Sequence, residues 1–462
     1  MKLYSTNNRG NTVPFDKALM EGLAKDGGLY MPEKIGQISR EFMEKLEKGK
    51  LEGTPVDILR EIAFEIALVL MGEDIDPKSL RNIVEDALNF DAPLVDLNET
   101  VHALELFHGP TLAFKDFGAR FLSRLMAHFS NRNFAKQNFL VNKSFGVSQN
   151  TLGINKEITV LVATSGDTGS AVASGFLNTQ GIHVVLLYPC GKVSKIQEQQ
   201  LTTMGGNITA LEVDGVFDDC QRLVKEAFMD PDLNKKLVLT SANSINIGRL
   251  LPQIFYYFYA YYQLKDKSKP VVISVPSGNF GNLTAGLIAK KMGLPIDKFV
   301  AAVNANDTFE KYLQTGEYTP QKSVETISNA MDVGDPSNFA RIMELYDHDV
   351  GKVKADVWSK SFSDEETTRA IQEVHKKYNY LMDPHGAVAY LGLMEYQKAN
   401  PNTNGIFFIT AHPAKFADKV EPITGEKIQI PERLAQCLQK EKKTTKIGSN
   451  STEFKNYLLR NI

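Results

Sequence analysis

A lysine that follows three apolar residues is the first position in this 462-residue chain where chemistry can be expected. Lys115 stands after Leu112, Ala113 and Phe114 in the segment His-Gly-Pro-Thr-Leu-Ala-Phe-Lys-Asp. Apolar surroundings disfavour the charged ammonium and lower its pKa, so the neutral amine becomes able to attack a carbonyl carbon. Taken alone, the motif is better explained by a lysine whose stem covers apolar surface while its charge stays in water.

A glycine-rich loop, Ser-Gly-Asn-Phe-Gly-Asn, follows an apolar run and leads into a predicted helix that starts near Asn282. Gly278 and Gly281 let the backbone approach a ligand, and the first amides of a helix carry partial positive charge that attracts anions. The loop lacks both the Gly-Lys-Ser/Thr of a Walker loop and the G-x-G-x-x-G of dinucleotide sites. It predicts a cradle for one phosphate, although a simple tight turn explains it about equally well.

A second loop, Thr-Ser-Gly-Asp-Thr-Gly, brings hydroxyl groups and glycines to another predicted helix start. Small donors beside open backbone amides suit a carboxylate or a second phosphate. Helix capping is the better explanation when the loop is taken alone, because Ser, Thr and Asp are favoured N-caps. The charge of Asp167 would repel an anion unless its side chain points elsewhere.

Two further segments carry polar residues at predicted strand ends. Asn243, Asn246 and Arg249 recur every three residues, which predicts one helical face, and arginine binds phosphate through two hydrogen bonds. A capped helix with a solvent-facing arginine explains this spacing equally well. Thr410 ends a buried apolar run, where its hydroxyl can reach a ligand. We interpret the nearby His412 as structural rather than catalytic.

Short apolar runs without polar alternation alternate with helix-length segments from about residue 96 onwards. Such runs predict parallel strands covered by helices on both faces, with ligands beyond the carboxyl ends of the strands. The predicted strands are 158–163, 184–188, 208–213, 237–239, 271–275, 299–303 and 406–410. Residues 1–95 show no such alternation and are predicted to form a separate, mainly helical region. The polar stretch 131–157 is predicted to be a surface excursion.

Charge, apolar runs and cysteine content exclude several classes of protein. Lys and Arg number 52 against 55 for Asp and Glu, a net charge of −3 that argues against nucleic acid or an anionic membrane as a partner. We identify no signal segment and no apolar run of the ~20 residues that span a bilayer. The three cysteines form no C-x-x-C pair, which favours a reducing compartment. The chain is therefore predicted to be a cytoplasmic enzyme, and we expect no metal site.

The chain resembles the threonine synthase family, a pyridoxal-phosphate (PLP) group related to the tryptophan synthase β-subunit. The resemblance runs from Gly27-Gly28-Leu29-Tyr30 to Phe416. It is carried by four segments in this order: His-Gly-Pro-Thr-Leu-Ala-Phe-Lys-Asp, Thr-Ser-Gly-Asp-Thr-Gly, Ser-Gly-Asn-Phe-Gly-Asn and Thr-Ala-His-Pro-Ala-Lys-Phe. Their combination also points to the longer form of the enzyme, which has an additional N-terminal domain.

The resemblance implies an α/β fold with two parallel-sheet, three-layer domains of the tryptophan synthase β-like type (PLP fold type II), plus the mainly helical N-terminal domain at 1–95. The large PLP-binding domain would comprise residues 96–114 and 249–462. The small domain would comprise residues 115–248, carrying the substrate-carboxylate loop and a 131–157 insertion.

The resemblance also implies roles for individual residues. Lys115 would be catalytic and would hold PLP as an imine, and Thr410 would hydrogen-bond the pyridine nitrogen. The phosphate of PLP would be cradled by Gly278, Asn279, Phe280, Gly281 and Asn282. The substrate carboxylate would be received by Thr164, Ser165, Gly166, Asp167 and Thr168, with Asp167 turned toward the cofactor side or the backbone. The phosphate of the substrate would meet Lys192, Asn243 and Arg249.

The implied reaction converts O-phospho-L-homoserine and water into L-threonine and phosphate, in a monomer or a homodimer. A serine or threonine dehydratase is the alternative within the same cofactor group, and it would not need Arg249 and Lys192 for a leaving phosphate. A non-catalytic protein that binds a small phosphorylated ligand is the alternative outside it. Phosphate release from phosphohomoserine, compared with ammonia release from threonine, separates the first two.

Overall fold

The computed structural model describes residues 1–143 and 157–462, which form an N-terminal region and two helix-covered sheets. The strands are β1 (Lys2–Ser5), β2 (Asn8–Pro14), β3 (Tyr30–Pro32), β4 (Leu94–Asn98), β5 (Val101–Glu105), β6 (Ile158–Ala163), β7 (Ile182–Pro189), β8 (Ile208–Asp214), β9 (Val238–Ser241), β10 (Val271–Pro276), β11 (Lys298–Val303), β12 (Val357–Ser361), β13 (Asn404–Ile409) and β14 (Thr445–Gly448).

The helices are α1 (Phe15–Glu21), α2 (Arg40–Glu47), α3 (Pro55–Met71), α4 (Pro77–Ala87), α5 (Lys115–Lys143), α6 (Asp167–Phe176), α7 (Lys195–Thr202), α8 (Phe217–Met229), α9 (Pro231–Lys236), α10 (Ile247–Leu250), α11 (Ile254–Gln263), α12 (Gly281–Lys291), α13 (Thr308–Thr315), α14 (Phe339–Leu345), α15 (Val350–Asp356), α16 (Asp364–Tyr378), α17 (Pro384–Ala399), α18 (Ala417–Thr424), α19 (Glu432–Leu438) and α20 (Ser451–Asn461). Short 3-10 turns lie at Leu251–Gln253, Asn329–Met331 and Pro413–Phe416.

The N-terminal region combines helices α1–α4 with a three-stranded antiparallel sheet in the order β2-β1-β3. Helix α3 starts at a capping box between Thr54 and Asp57 with Pro55 in its first turn, and it buries Ile62 and Ile66. The helices agree with the mainly helical prediction. The small sheet was not predicted, because its strands are short and β2 is largely polar and exposed.

The first large sheet has the order β12-β11-β10-β13-β5-β4, and its neighbours run parallel except for β4 and β5. Every residue of β10 and β13 is buried, as the unbroken apolar runs predicted. Ile273 and Phe408 pack into a core shared with α11 and α12, whereas Val272 and Phe407 pack into a core shared with α16 and α17. The sheet is thus the middle layer of three.

The second sheet has the order β14-β8-β7-β6-β9 and is parallel throughout. Its two faces also belong to different cores. Val160 and Val162 pack with residues of α5 and α6, whereas Leu161 and Ala163 pack with residues of α8 and α20. The predicted α/β class with two three-layer parallel-sheet units is confirmed.

The C-terminal part of the chain corrects the predicted domain division. We expected all of 249–462 in the large domain, but β14 pairs with β8 in the second sheet, and the buried Ile447 packs there beside Phe454 of α20. The sequence could not show this pairing, because the free edge of β8 exists only in the folded sheet. The remaining boundaries stay predictions.

The predicted 131–157 excursion is also corrected in its first half, since α5 continues to residue 143. Its second half, 144–156, lies outside the described residues. Within the part of the chain that the structure describes, no helix is long and apolar enough to cross a membrane.

Candidate active site

A cavity of about 830 Å³ lies where four parallel strands of the two sheets end. Its walls include residues that directly follow β6, β10 and β13, together with Ser241 at the end of β9. Parallel α/β sheets bind ligands at this edge, because the loops there lead into helix N-termini. The predicted loops therefore meet around one space.

Lys115 is the first residue of α5 and lines this cavity. The segment before it is tied to the end of β13, since the Phe114 amide donates to the Thr410 carbonyl (2.9 Å) and the His412 amide donates to the Leu112 carbonyl (3.1 Å). Burial lowers the pKa of Lys115, and the cations of Lys415 and Arg249 lower it further against the opposing charge of Asp167. The amine is thus held toward its neutral, nucleophilic form.

The loop after β10 presents the start of α12 to the cavity. Phe280 adopts a left-handed conformation (φ 58°), which turns the chain so that α12 begins at Gly281. Asn279 holds the loop in place: its side chain bonds Ser244 Oγ (2.5 Å) and the Ser337 amide (2.6 Å). Gly278 lines the cavity, and a Cβ on it would lie 2.7 Å from the Cα of Met331, so its close packing against Met331 requires glycine.

Gly281 and Asn282 leave room and donors for an anion at the start of α12. A Cβ added to Gly281 would make only ordinary van der Waals contacts, 3.5 Å from Asn338 Nδ2 and 3.6 Å from Ser244 Cβ. The side-chain oxygen of Asn282 accepts from the hydroxyls of Tyr256 (2.7 Å) and Tyr257 (2.8 Å). Its buried Nδ2 has no hydrogen-bond partner among the described residues. An orphaned donor at a helix N-terminus fits a phosphate group.

The loop after β6 is built differently. The Thr164 hydroxyl accepts from the amides of Gly166 (3.0 Å) and Gly169 (2.8 Å), so it stabilises the turn itself. Gly166 has φ 133° and lies against Gln197, a conformation and a space that only glycine tolerates. Ser165 and Thr168 line the cavity, whereas Gly166 lies behind it.

Asp167, the first residue of α6, lines the cavity and is paired with a lysine that sequence reasoning missed. Its Oδ1 lies 2.6 Å from Lys415 Nζ, and both side chains are buried. Lys415 and Lys115 hold the pKa of Asp167 well below its usual range even though burial opposes this. We expected Asp167 to turn toward the cofactor side or the backbone; it turns toward Lys415. The signal was present in Ala-His-Pro-Ala-Lys-Phe, which contains this lysine.

The predicted helical face of Asn243, Asn246 and Arg249 is wrong, because α10 starts only at Ile247. Asn246 caps α10 through the Gly248 amide (2.9 Å), and Asn243 bonds the backbone at the end of β6 (2.8 Å). Asn243 and Arg249 both line the cavity. Arg249 donates from Nη1 to the Ala242 carbonyl (2.5 Å), and its buried Nε has no partner among the described residues. Burial lowers its pKa to about 10, so it stays charged at neutral pH.

Of two other candidate residues, the structure places Thr410 at the cavity but not Lys192. Lys192 is exposed and does not line the cavity, so it is not brought to the site. Thr410 follows β13 directly, is buried and lines the cavity. His412 stays structural, since its Nδ1 accepts from the Ala414 amide (3.1 Å) and burial lowers its pKa to about 4.

Residues of the N-terminal region, of the connection between β11 and β12, and of α17 also line the cavity. The sequence patterns did not predict this. Gly27, Gly28 and Leu29 line the cavity, and so do His385 and Asp332. A Cβ on Gly28 would meet Ser5 Oγ and the Asn7 amide, so the close approach of β1 to this turn requires glycine. The Asp-Pro-His sequence before α17 was the only signal for His385: Asp383 caps that helix and contacts the imidazole.

Comparison with known proteins shows the family of the chain. Residues 88–410 match the family model described as pyridoxal-phosphate dependent enzyme, 2–88 match the threonine synthase N terminus and 386–458 match the threonine synthase C-terminal model. The chain is 43% identical over 461 residues to the threonine synthase of Haemophilus influenzae, covering 100% of both chains.

Two solved structures are similar over almost the whole chain. The crystal structure of threonine synthase from Escherichia coli aligns with a TM-score of 0.87 and 39% identity, covering 100% of both chains. A PLP-bound threonine synthase from Brucella melitensis aligns with a TM-score of 0.86 and 32% identity, covering 99% of this chain and 98% of that one. The similarity therefore includes the N-terminal region as well as both sheets.

Proposed function

The chain belongs to the threonine synthase family, and we propose that the cavity beside Lys115 is its active site. The protein is a PLP-dependent lyase of threonine biosynthesis. We propose that it converts O-phospho-L-homoserine and water into L-threonine and phosphate in this cavity. One observation supports the location above the others: two helix N-termini and a lysine with a lowered pKa surround the same space.

The cofactor fits the donors that the chain presents. Lys115 Nζ would bind the aldehyde carbon of PLP, and Thr410 would bond its ring nitrogen. The first amides of α12, with the orphaned Nδ2 of Asn282, would hold the phosphate. When bound, PLP supplies an electron sink for the bonds at the substrate α carbon.

Lys115 also provides the base. Burial lowers its pKa and so favours the neutral amine, and a neutral Nζ can accept the proton from the substrate α carbon. Lys115 is the first residue of α5, and the amide of the preceding Phe114 donates to the Thr410 carbonyl after β13. Its backbone is therefore fixed beside the cavity while Nζ takes and returns this proton. We propose that the same amine returns the proton at the end of the reaction.

The remaining residues would bind the substrate at its two ends. Ser165 and Thr168 offer hydroxyls and the start of α6 for the carboxylate. Arg249 offers an unpaired buried Nε–H to the phosphate, which suits a charge-assisted hydrogen bond. Asn243 acts by holding the end of β6 in place. Lys192 is no longer part of this proposal, since it is exposed and away from the cavity.

Borohydride reduction of the PLP-loaded protein tests the assignment. Reduction should fix a pyridoxyl group on Lys115, located by peptide mapping, and none on Lys415, which serves as an internal control because it is buried nearby. The same preparation should release phosphate from O-phospho-L-homoserine and no ammonia from L-threonine. A pyridoxyl group on another lysine, or ammonia release without phosphate release, would contradict the proposal.

A cytoplasmic location, the absence of nucleic-acid partners and a monomer or homodimer stay predictions. Sedimentation of the purified protein over a range of concentrations measures the oligomeric state directly.

A further inference from the structure

A buried ion pair joins the wall of the cavity to a residue outside it. Asp167 Oδ1 lies 2.6 Å from Lys415 Nζ and also accepts from Gln197 Nε2 (2.8 Å). The Asp167 side chain is 4% exposed and that of Lys415 is 0% exposed. Asp167 lines the cavity, but Lys415 does not. Lys415 therefore acts on the cavity through its charge and through the groups that it contacts, not by lining it.

The charge of Asp167 presents a physical problem for the loop that contains it. Asp167 lies between Ser165 and Thr168, whose hydroxyls face the cavity, and it is the first residue of α6. An unpaired carboxylate here would cancel the positive potential of the helix N-terminus and repel an incoming anion. The ammonium of Lys415 neutralises it at contact distance, where the low local dielectric makes the pairing strong.

Lys415 also connects the segments that surround the cavity. Its Nζ donates to the Thr111 carbonyl (3.0 Å), four residues before Lys115. Its own carbonyl accepts from Ser194 Oγ (3.3 Å), the cap of α7. Gln197 of α7 reaches Asp167 and lies over Gly166. One ammonium thus fixes the position of the loop after β6 relative to the segment that carries Lys115.

We propose that Lys415 is a positioning residue that neutralises Asp167, and that this neutralisation allows the loop 164–168 to bind the substrate carboxylate. The inference rests on the proposed function, because it deepens the role assigned to that loop. It assigns Lys415 no contact with substrate or cofactor.

The test measures binding of L-threonine, which has the carboxylate but no phosphate, to the PLP-loaded protein by absorbance titration. Lys415→Met should weaken L-threonine binding roughly 30-fold, because Asp167 is left charged and unpaired. Lys415→Arg keeps the positive charge and should restore most of the affinity. The double variant Asp167→Asn/Lys415→Met removes both charges and should restore it as well.

Asp167→Asn alone is the matched control, since it keeps Lys415 and an oxygen for Gln197 while removing the negative charge. It should bind L-threonine at least as tightly as the wild type. Each titration is carried out at saturating PLP, because the charges of Asp167 and Lys415 also act on the pKa of Lys115 and therefore on cofactor binding. If Lys415→Met does not fold, Asp167→Asn, Lys415→Arg and the double variant still give the comparison.

The possible outcomes distinguish failure of this inference from failure of the proposed function. Unchanged L-threonine affinity in Lys415→Met, no recovery in the double variant, or weaker binding in Asp167→Asn would each overturn the proposal. A wild-type protein that binds PLP but releases no phosphate from O-phospho-L-homoserine would instead overturn the proposed function. That result is obtained before any variant is made.

Discussion

The loops after β6 and β10 present a helix N-terminus to the cavity in two different ways. Both connect a buried parallel strand to a helix N-terminus that faces the same cavity. The loop after β10 offers a neutral amide, Asn282, whose Nδ2 is left without a partner in the described structure. The loop after β6 carries a carboxylate, Asp167, which is neutralised by Lys415. An anion site can therefore be built by leaving donors open or by pairing a negative charge with a buried cation.

The pKa values of two carboxyls that line the cavity show the same contrast. Although burial opposes ionisation of Asp167, Lys415 and Lys115 hold its pKa well below the usual range. Burial raises the pKa of Asp332 to about 6, because its partners are the neutral groups Thr326 and Asn304. Burial raises the pKa of both carboxyls, and the presence of a contacting cation decides whether the pKa ends above or below its usual value.

The largest effect is expected at Lys115, which lies between the two loops. Lys115→Ala removes the amine that we propose as both the cofactor ligand and the base, so turnover should fall by at least about 10³-fold while the fold stays intact. Phosphate release and the circular dichroism spectrum measure the two properties. Lys192→Ala removes an exposed lysine and should leave turnover close to that of the wild type. Substantial turnover in Lys115→Ala would remove the residue from the chemistry.

The buried ion pair of the loop after β6 should dominate stability. Lys415→Met leaves the Asp167 carboxylate buried without its cation and should lower the free energy of unfolding by about 3–5 kcal/mol. Asp167→Asn/Lys415→Met should regain most of that loss, because no buried charge remains. Urea unfolding of the cofactor-free proteins measures both values. A double variant as unstable as Lys415→Met would show that packing, rather than charge, is what Lys415 contributes.

The loop after β10 should lose affinity without losing stability. Gly281→Ala places a methyl group beside the first amides of α12, where we propose that the phosphate binds, and PLP should bind about tenfold more weakly, or about 1.4 kcal/mol. The midpoint of thermal unfolding of the cofactor-free protein should not change, since the methyl group meets no protein atom closer than 3.5 Å. Gly278→Ala is the contrasting variant, because its methyl group collides with Met331 and should lower stability too. Unchanged PLP affinity in Gly281→Ala would place the phosphate elsewhere.

Asp332 should produce the smallest effect, visible in the pH dependence of stability. Its pKa is about 6 in the folded protein and lower in the unfolded chain, so the folded state holds the extra proton and stability falls as pH rises from 4 to 6. After allowance for its partial exposure, this fall amounts to about 1 kcal/mol. Asp332→Asn should remove it, whereas Asp214→Asn, at an exposed position, should not. If the urea midpoint changes between pH 4 and pH 7 by the same amount in the wild type and in Asp332→Asn, the assignment is contradicted.

Local patterns were enough to predict most of the sheets. The strands β6, β7, β8, β10, β11 and β13 are buried over most of their length, so their sequences are largely apolar and stand out from the helices between them. The strands β4, β5, β12 and β14 were missed. Three of them, β4, β12 and β14, lie at a sheet edge and have polar or partly exposed residues. The fourth, β5, lies inside the sheet, and its short sequence is broken by His102 and Glu105. An edge strand is defined by its partner, and the partner is distant in sequence.

The sequence by itself determined the types of chemistry available here: a lysine among apolar residues, two glycine-bearing helix starts and an arginine. Those properties depend on neighbours within a few residues, and local sequence contains them. Only the tertiary structure decided which charges meet. The pair of Asp167 and Lys415 spans 248 positions of the chain, and the structure was likewise needed to show that Lys192 does not line the cavity. Coulombic interactions and desolvation act through space, so the pKa values of this site could be assigned only after the fold had brought the groups together.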